Sequence, residues 1–251
     1  MRATAAIRFR IAGPVALLSH AETLRLFQRA CARAEVPVRY TEGFNPHPRL
    51  SLPLPRPVGV ESEDELLVAR LYEDPSERAT GDRREAEGAM RQTLAEQLPE
   101  GIEVLDVTLA ASNASFVPQA ARYVLPLRVA ENPGLADRLT DRIAQVMADE
   151  RCVVERSSGE NKPTRRVDVR PFLKSVRLED DRLIVEHLTG DAGSIRVEEI
   201  LQLCSLRVED LAGPVRRDGV VWETNQMQNT RPVPRREGGT EEIEDAKRDV
   251  D

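Results

Sequence analysis

Aromatic residues are scarce in this sequence, 4% of 251 residues, which argues against a surface that grips nucleic acid mainly by stacking bases along a row of rings. Cysteine is scarcer still. Cys31, Cys152 and Cys204 stand far apart, cannot pair completely, and form no CxxC or His/Cys cluster. Neither a disulfide framework nor a zinc site is supported, and a reducing cytoplasm is the expected setting. No apolar run approaches the roughly 18 residues that span a bilayer, so no membrane partner is expected. Arg8 and Arg10 interrupt the opening MRATAAIRFRIAG, which denies it the apolar stretch of a signal peptide. With no GxGxxG, P-loop or CxxxCxxC string, no cofactor and no metal are expected on this chain.

Charge is plentiful and unevenly placed. The net charge is −7, with 40% hydrophobic and 31% charged residues. Residues 1–60 nevertheless hold nine arginines against three glutamates, a local net of +6, and residues 162–177 reach a net of +5. Residues 236–251 carry three basic and seven acidic residues. Because binding follows the local field, an acidic total does not exclude an anionic partner. Two solvated basic faces are the plain alternative.

The hydropathy pattern predicts an α+β chain. Ala5, Ile7, Phe9 and Ile11 alternate with Arg8 and Arg10 as a strand with one wet, basic face. Ser19 and Glu22 have capping-box spacing, and the helix after them aligns Leu24, Phe27, Cys31 and Ala34 on one face. Arg25, Arg29 and Arg33 form a stripe beside that face. Strands are expected at 38–41, 65–71 and 102–109, with a helix at 85–98, giving the β-α-β-β-α-β order of a ferredoxin-like unit. A strand at 121–129, a helix from Asn132-Pro133, a strand at 152–156, a hairpin of 166–178 with 182–188, a helix at 197–204 and a strand at 215–222 repeat the rhythm. The expectation is two tandem ferredoxin-like (βαββαβ) modules, 1–112 and 113–224, the second degenerate, followed by a disordered acidic C-terminal tail at 225–251.

Three places could carry chemistry. Within YTEGFNPHPRLSLPL (40–54), two prolines bracket His47 and stiffen the backbone that displays it beside Asn45 and Arg49. A Pro-rich turn between two strands is the structural alternative. His20 falls in the first turn of the arginine-striped helix, where backbone N–H groups favour an anion. If the helix crosses the sheet as expected, His20, Arg25, Arg29 and the 43–49 loop share one edge. The third place is Arg166, Asp168 and Arg170, which alternation puts on one side of a strand, the aspartate arranging the arginines as an anion clamp. The substrate- or anion-binding candidates are His20, Arg25, Arg29, Tyr40, Phe44, Asn45, His47, Arg49, Arg166, Asp168 and Arg170. No catalytic constellation is complete, His20 and His47 being the weak candidates, and His187 is read as structural.

Ser19-His20 with Arg25 and Arg29-Ala30, then GFNPHP at 43–48, then 54–59, resembles a bacterial radical-SAM-linked family of unknown function whose members occur alone or fused behind a cobalamin-binding radical-SAM enzyme. Asp168-Val169-Arg170-Pro171 resembles that family's second signature. The resemblance spans roughly residues 5–225. It implies a partner or substrate-recognition module for a separate radical-SAM protein, with RNA as the candidate substrate, and it carries no catalytic role. The first expectation is therefore a noncatalytic RNA- or substrate-binding accessory. A metal-free endoribonuclease of the double ferredoxin-like type and a protein-binding scaffold are the alternatives.

Overall fold

In the computed structural model the described residues are 1–77, 82–157, 164–190 and 193–225, so the expected tail lies outside them apart from Asn225. Strand β1, Ala3–Ile11, follows its alternation, with Ala3, Ala5, Ile7, Phe9 and Ile11 buried in one core. Helix α1, His20–Arg33, opens on the expected capping box. Ser19 Oγ accepts from the Glu22 backbone N–H at 3.3 Å, and Glu22 accepts from the Ser19 N–H at 2.9 Å. Strand β2 is short, Leu50–Ser51, and β3 is long, Glu61–Leu71. Helix α2, Arg83–Ala95, leads to β4, Ile102–Ala111, and a tight turn leads on to β5, Phe116–Pro126. Residues 110–120, between the strands expected at 102–109 and 121–129, are thus largely strand.

The second half continues with α3, Leu135–Ala148, β6, Val153–Arg156, and β7, Arg165–Asp168. It ends with β8, Leu173–Glu179, β9, Arg182–Leu188, α4, Val197–Leu203, and β10, Arg216–Thr224. One continuous strand over 166–178 does not form. A 3-10 turn at Arg170–Phe172 divides it, because Pro171 fixes its φ and has no N–H for a ladder. β7 instead pairs with β6 in a small separate sheet.

One large mixed sheet carries the other strands in the order β4-β1-β3-β10-β5-β9-β8. Within it β4-β1-β3 is antiparallel with β2 beyond β3, and β10-β5-β9-β8 is antiparallel in the same sense. The outer edge of β3 is divided between two neighbours. β2 takes Val68 and Ala69, and β10 runs parallel to Glu61 and Ser62. Helices α1 and α2 close one core over Ile7, Phe9 and Leu67, while α3 and α4 close a second over Tyr123, Leu125 and Leu183. Phe116 and Trp222 pack on Ala6, Leu66 and Val68, which alternation places on the opposite face.

At the seam between the cores lies a buried ion pair. Arg217, 1% exposed, donates three times to Glu65, through Nε to Oε1 at 2.9 Å and through Nη2 to Oε1 and Oε2 at 2.6 and 2.7 Å. It also reaches the carbonyls of Leu54 and Pro55, each at 3.3 Å. Arg56 binds the carbonyls of Ala16, Leu18 and Val60 at 2.7, 3.0 and 2.6 Å. These two guanidiniums fix the Pro-rich passage over the seam.

The wet basic face expected on β1 is neutralised. Arg8 pairs with Asp64 at 2.7 Å and Arg10 with Glu63 at 3.0 Å. A carboxylate on the adjacent strand meets each, so neither arginine is available as a lone cation.

Candidate functional site

The YTEGFNPHP string is an excursion from an edge strand. The chain approaches β3 at residues 37–39, where Tyr72 N donates to Pro37 O at 2.9 Å and Arg39 N to Arg70 O at 2.7 Å. It returns at Arg49, whose N–H donates to Arg39 O at 2.7 Å and whose carbonyl accepts from Arg70 N at 3.0 Å. The strand expected at 38–41 is therefore reduced to bridges at Val38–Leu71 and Tyr40–Pro48, and β2 forms on the return. Pro46 and Pro48, which lack ladder N–H groups, make continuous pairing impossible.

Thr41 closes the neck. Its N–H donates to His47 O at 2.8 Å, and its Oγ1 accepts from His47 N at 2.9 Å. Beyond it Gly43 turns at φ +121°, a conformation that L side chains rarely adopt, and Phe44 stands fully exposed at the tip. Tyr40 is 44% exposed and Tyr72 56%, both at the root of the same excursion. In an aromatic-poor chain the exposed rings thus gather at one edge.

Three arginines accompany them. Val38, Leu50, Ala69 and Leu71 face the core, so alternation turns Arg39, Arg49 and Arg70 to the opposite face. Arg70 spends its Nη1 on neutral oxygens, Thr4 Oγ1 at 2.8 Å and the carbonyls of Ser112 and Ala114 at 3.1 and 2.8 Å. Among the described residues no carboxylate pairs with Arg39, Arg49 or Arg70, in contrast to Arg8, Arg10, Arg122 and Arg216. Glu42 is the one acid within the excursion. Unpaired guanidiniums beside exposed rings can hold a phosphate and stack a base.

The other expected residues are dispersed. His20 sits at the start of α1 and lines a recess with Phe9, Thr23, Leu52, Leu54, Arg56 and Glu65, about 10 Å³ in volume, the room of one water. That recess meets β3 at Glu65, whereas the excursion meets it at Ala69–Leu71, roughly 13–20 Å further along the strand. His20 and His47 are therefore not brought together. Arg25 and Arg29 are exposed on α1, Arg29 nearer the helix end that leads to the excursion.

Asp168 and Arg170 serve the fold. Asp168 Oδ1 accepts from the N–H groups of Cys152 and Arg170 at 2.9 and 3.1 Å, which holds its carboxyl below the usual range. Arg170 donates to the carbonyls of Asp149, Met147 and Leu173 at 3.0, 3.3 and 3.3 Å, capping the end of α3. Arg166 is exposed on β7 and joins no clamp with them. His187 is buried and stacks on Tyr123 at 5.1 Å, its pKa pushed down to about 4 by burial.

Sequence reasoning missed Arg39, Arg70 and Tyr72, which are remote from the GFNPHP string or ordinary in context, and reach the site through strand pairing alone. It also missed Arg217, 152 residues from the Glu65 it pairs with. No group of three or more His, Cys, Asp or Glu side chains could hold a metal among the described residues. Cys31 and Cys204 are buried thiols, pushed up to about 12 by desolvation. No helix among the described residues is long and apolar enough to cross a membrane.

Residues 5–199 match a family described as uncharacterized protein conserved in bacteria (DUF2344). No curated protein matches the chain. Among solved structures, a chain in the crystal structure of a Cbf5-Nop10-Gar1 complex is similar at 14% identity and a TM-score of 0.38. The similarity covers 86% of this chain and 48% of that one, so this chain spans about half its length.

Proposed function

Because the chain belongs to this bacterial family of uncharacterized proteins, whose match covers residues 5–199, we propose that it is a noncatalytic RNA-binding accessory of a separate radical-SAM modification enzyme. The observation that carries the binding half is the broken edge of β3. There the exposed rings of Tyr40, Phe44 and Tyr72 lie on the same stretch of backbone as Arg39, Arg49 and Arg70, which no carboxylate neutralises among the described residues. A base can stack on Phe44 while its phosphates meet the guanidiniums.

The enzyme half rests on the resemblance of GFNPHP and DVRP to the radical-SAM-linked family. A sequence without CxxxCxxC leaves the iron–sulfur cluster to the partner. The scaffold in this reading is a pair of ferredoxin-like units, supported by the matching strand orders β4-β1-β3-β2 and β10-β5-β9-β8. The placement of His20 and His47 favours binding over cleavage by a histidine pair, since their surroundings meet β3 at points roughly 13–20 Å apart along the strand.

The test is fluorescence anisotropy of a labelled single-stranded RNA with the full chain. Phe44→Ala is expected to cost about 1–3 kcal/mol of binding. Arg39→Ala with Arg49→Ala is expected to lower the slope of log K against log salt by about 1.4, at roughly 0.7 per phosphate contact. Unchanged affinity and slope in both variants would remove the proposed surface. Co-purification of the tagged chain with a CxxxCxxC protein from its own cells tests the partner, and failure to recover one after crosslinking argues against it.

A further inference from the structure

The last described residue sits beside the turn that the Arg70 side chain reaches. Asn225 accepts from Ser115 N through Oδ1 at 2.8 Å, and its Nδ2 donates to Asn113 O at 3.1 Å. The same turn, through the carbonyls of Ser112 and Ala114, is what Arg70 grips. Arg70 in turn lies between Arg39 and Arg49 in backbone pairing. The chain beyond Asn225 therefore starts close to the Arg70 guanidinium and within a few strand spacings of the backbone of Arg39 and Arg49.

That C-terminal stretch has the complementary charge. Residues 237–246, EGGTEEIEDA, hold five carboxylates and no basic residue. The link from residue 226 to residue 240 contains Arg231, Arg235 and Arg236 with Pro232 and Pro234. Fifteen residues can reach at most about 50 Å, so the length of the link permits the acidic stretch to return to the edge of β3. The arginines of β1, β5 and β10 have acids on neighbouring strands, whereas among the described residues no carboxylate pairs with Arg39, Arg49 or Arg70, the arginines nearest the point where the described chain ends.

We propose that the acidic stretch 237–246 docks on the Arg39–Arg49–Arg70 edge of its own chain and competes with an anionic ligand for it. This rests on the reading of that edge as an RNA-binding surface only for the identity of the ligand. Tethering supplies an effective concentration of about a millimolar, so even a weak carboxylate–guanidinium contact lowers the apparent RNA affinity several-fold. The tail then acts as a filter, since short or weakly charged ligands lose the competition and long polyanions win it.

The experiment uses the full chain with Glu237, Glu241, Glu242 and Glu244 changed to Gln and Asp245 to Asn. In a first measurement, a labelled peptide of residues 237–251 is titrated onto this neutral-tail protein at low salt, with and without Arg39→Ala and Arg49→Ala. Saturable binding that the arginine variants abolish is expected, and no binding, or binding indifferent to those arginines, overturns the docking. In a second, single-stranded RNA is compared on the native and neutral-tail chains. The neutral tail is expected to tighten binding about three- to tenfold at 50 mM salt and by less at 200 mM. Unchanged RNA affinity overturns the competition. Peptide binding at the arginines in a protein that takes no RNA would retain the docking and remove RNA as the ligand, so the two failures are separable.

Discussion

Replacing Arg217 by Met removes the guanidinium from the seam and leaves Glu65 in place. Glu65 is 4% exposed and accepts from that one side chain at both oxygens, so the variant strands a carboxylate in a site with room for no more than one water. Breaking one partner of a buried pair costs about 3–5 kcal/mol, against which a methionine of similar volume recovers little. The Leu54 and Pro55 carbonyls lose a donor as well, which loosens the Pro-rich passage. Changing both residues, Arg217→Met with Glu65→Leu, removes the stranded charge and is expected to recover most of the loss. Urea unfolding of the four proteins in a double-mutant cycle measures this directly, with the midpoint as the readout and the slope as a check on two-state behaviour. A single-variant loss below about 1 kcal/mol, or a double variant no better than the single one, would refute a desolvated pair at the seam.

His187 adds a pH dependence. Its pKa falls to about 4 in the folded chain from an ordinary 6.5, so the unfolded chain binds the extra proton and stability drops as pH falls from 6.5 towards 4. The loss approaches about 3 kcal/mol at the lower end of that window and is absent in His187→Phe, which unfolding curves across the window would register or fail to register. Arg170→Ala uncaps α3 and is expected to cost about 1–2 kcal/mol in thermal or urea unfolding while leaving RNA affinity unchanged. Lost affinity with unaltered stability would return Arg170 to the binding surface. Phe44→Ala should do the reverse, because a fully exposed ring carries no packing: its unfolding midpoint stays within error of the native chain.

Local pattern was legible from sequence wherever one period ruled. The capping box at Ser19 and Glu22, the buried face of α1 and the alternation of β1 all derive from nearest neighbours, and each is present. The breaks were harder. Pro171 divides what alternation joins into one strand, and Pro46 and Pro48 turn the expected second strand into an excursion with β2 on its far side. In both cases the missing proline N–H overrides a strand-like hydropathy pattern. Pairing was legible only where a short turn joins the strands, as in the expected hairpin of β8 with β9. The contact of β10 with β3 joins residues more than 150 apart, and no local signal specifies it.

That gap explains which arginines were misread. Arg8, Arg10, Asp168 and Arg170 form basic or clamp-like clusters in sequence, yet each has its partner on another element: Asp64, Glu63, the Cys152 N–H and the carbonyls that end α3. Arg8 and Arg10 are neutralised by carboxylates and lend little to the outside field, whereas Arg170, like the Nη1 of Arg70, is held by neutral oxygens and keeps its charge. Arg39, Arg49 and Arg70 look scattered in sequence and stand together only because β3 is paired by a strand that leaves and returns. A break in an edge strand does two things at once: it interrupts the ladder that would template aggregation, and it leaves adjacent side chains without a cross-strand acid. The GFNPHP string is then best understood as the device that makes the break. Its prolines and Gly43 deny the ladder, Thr41 clamps the neck, and the arginines at either foot stay unpaired as a consequence. Filling the break, by replacing 41–47 with a two-residue turn, should lengthen β2 and bring Ser51 and its neighbours into register with β3, at the cost of the displayed ring. A variant so built that still bound RNA with native affinity would show that the arginine feet suffice, and would move the function from the loop to the edge it interrupts.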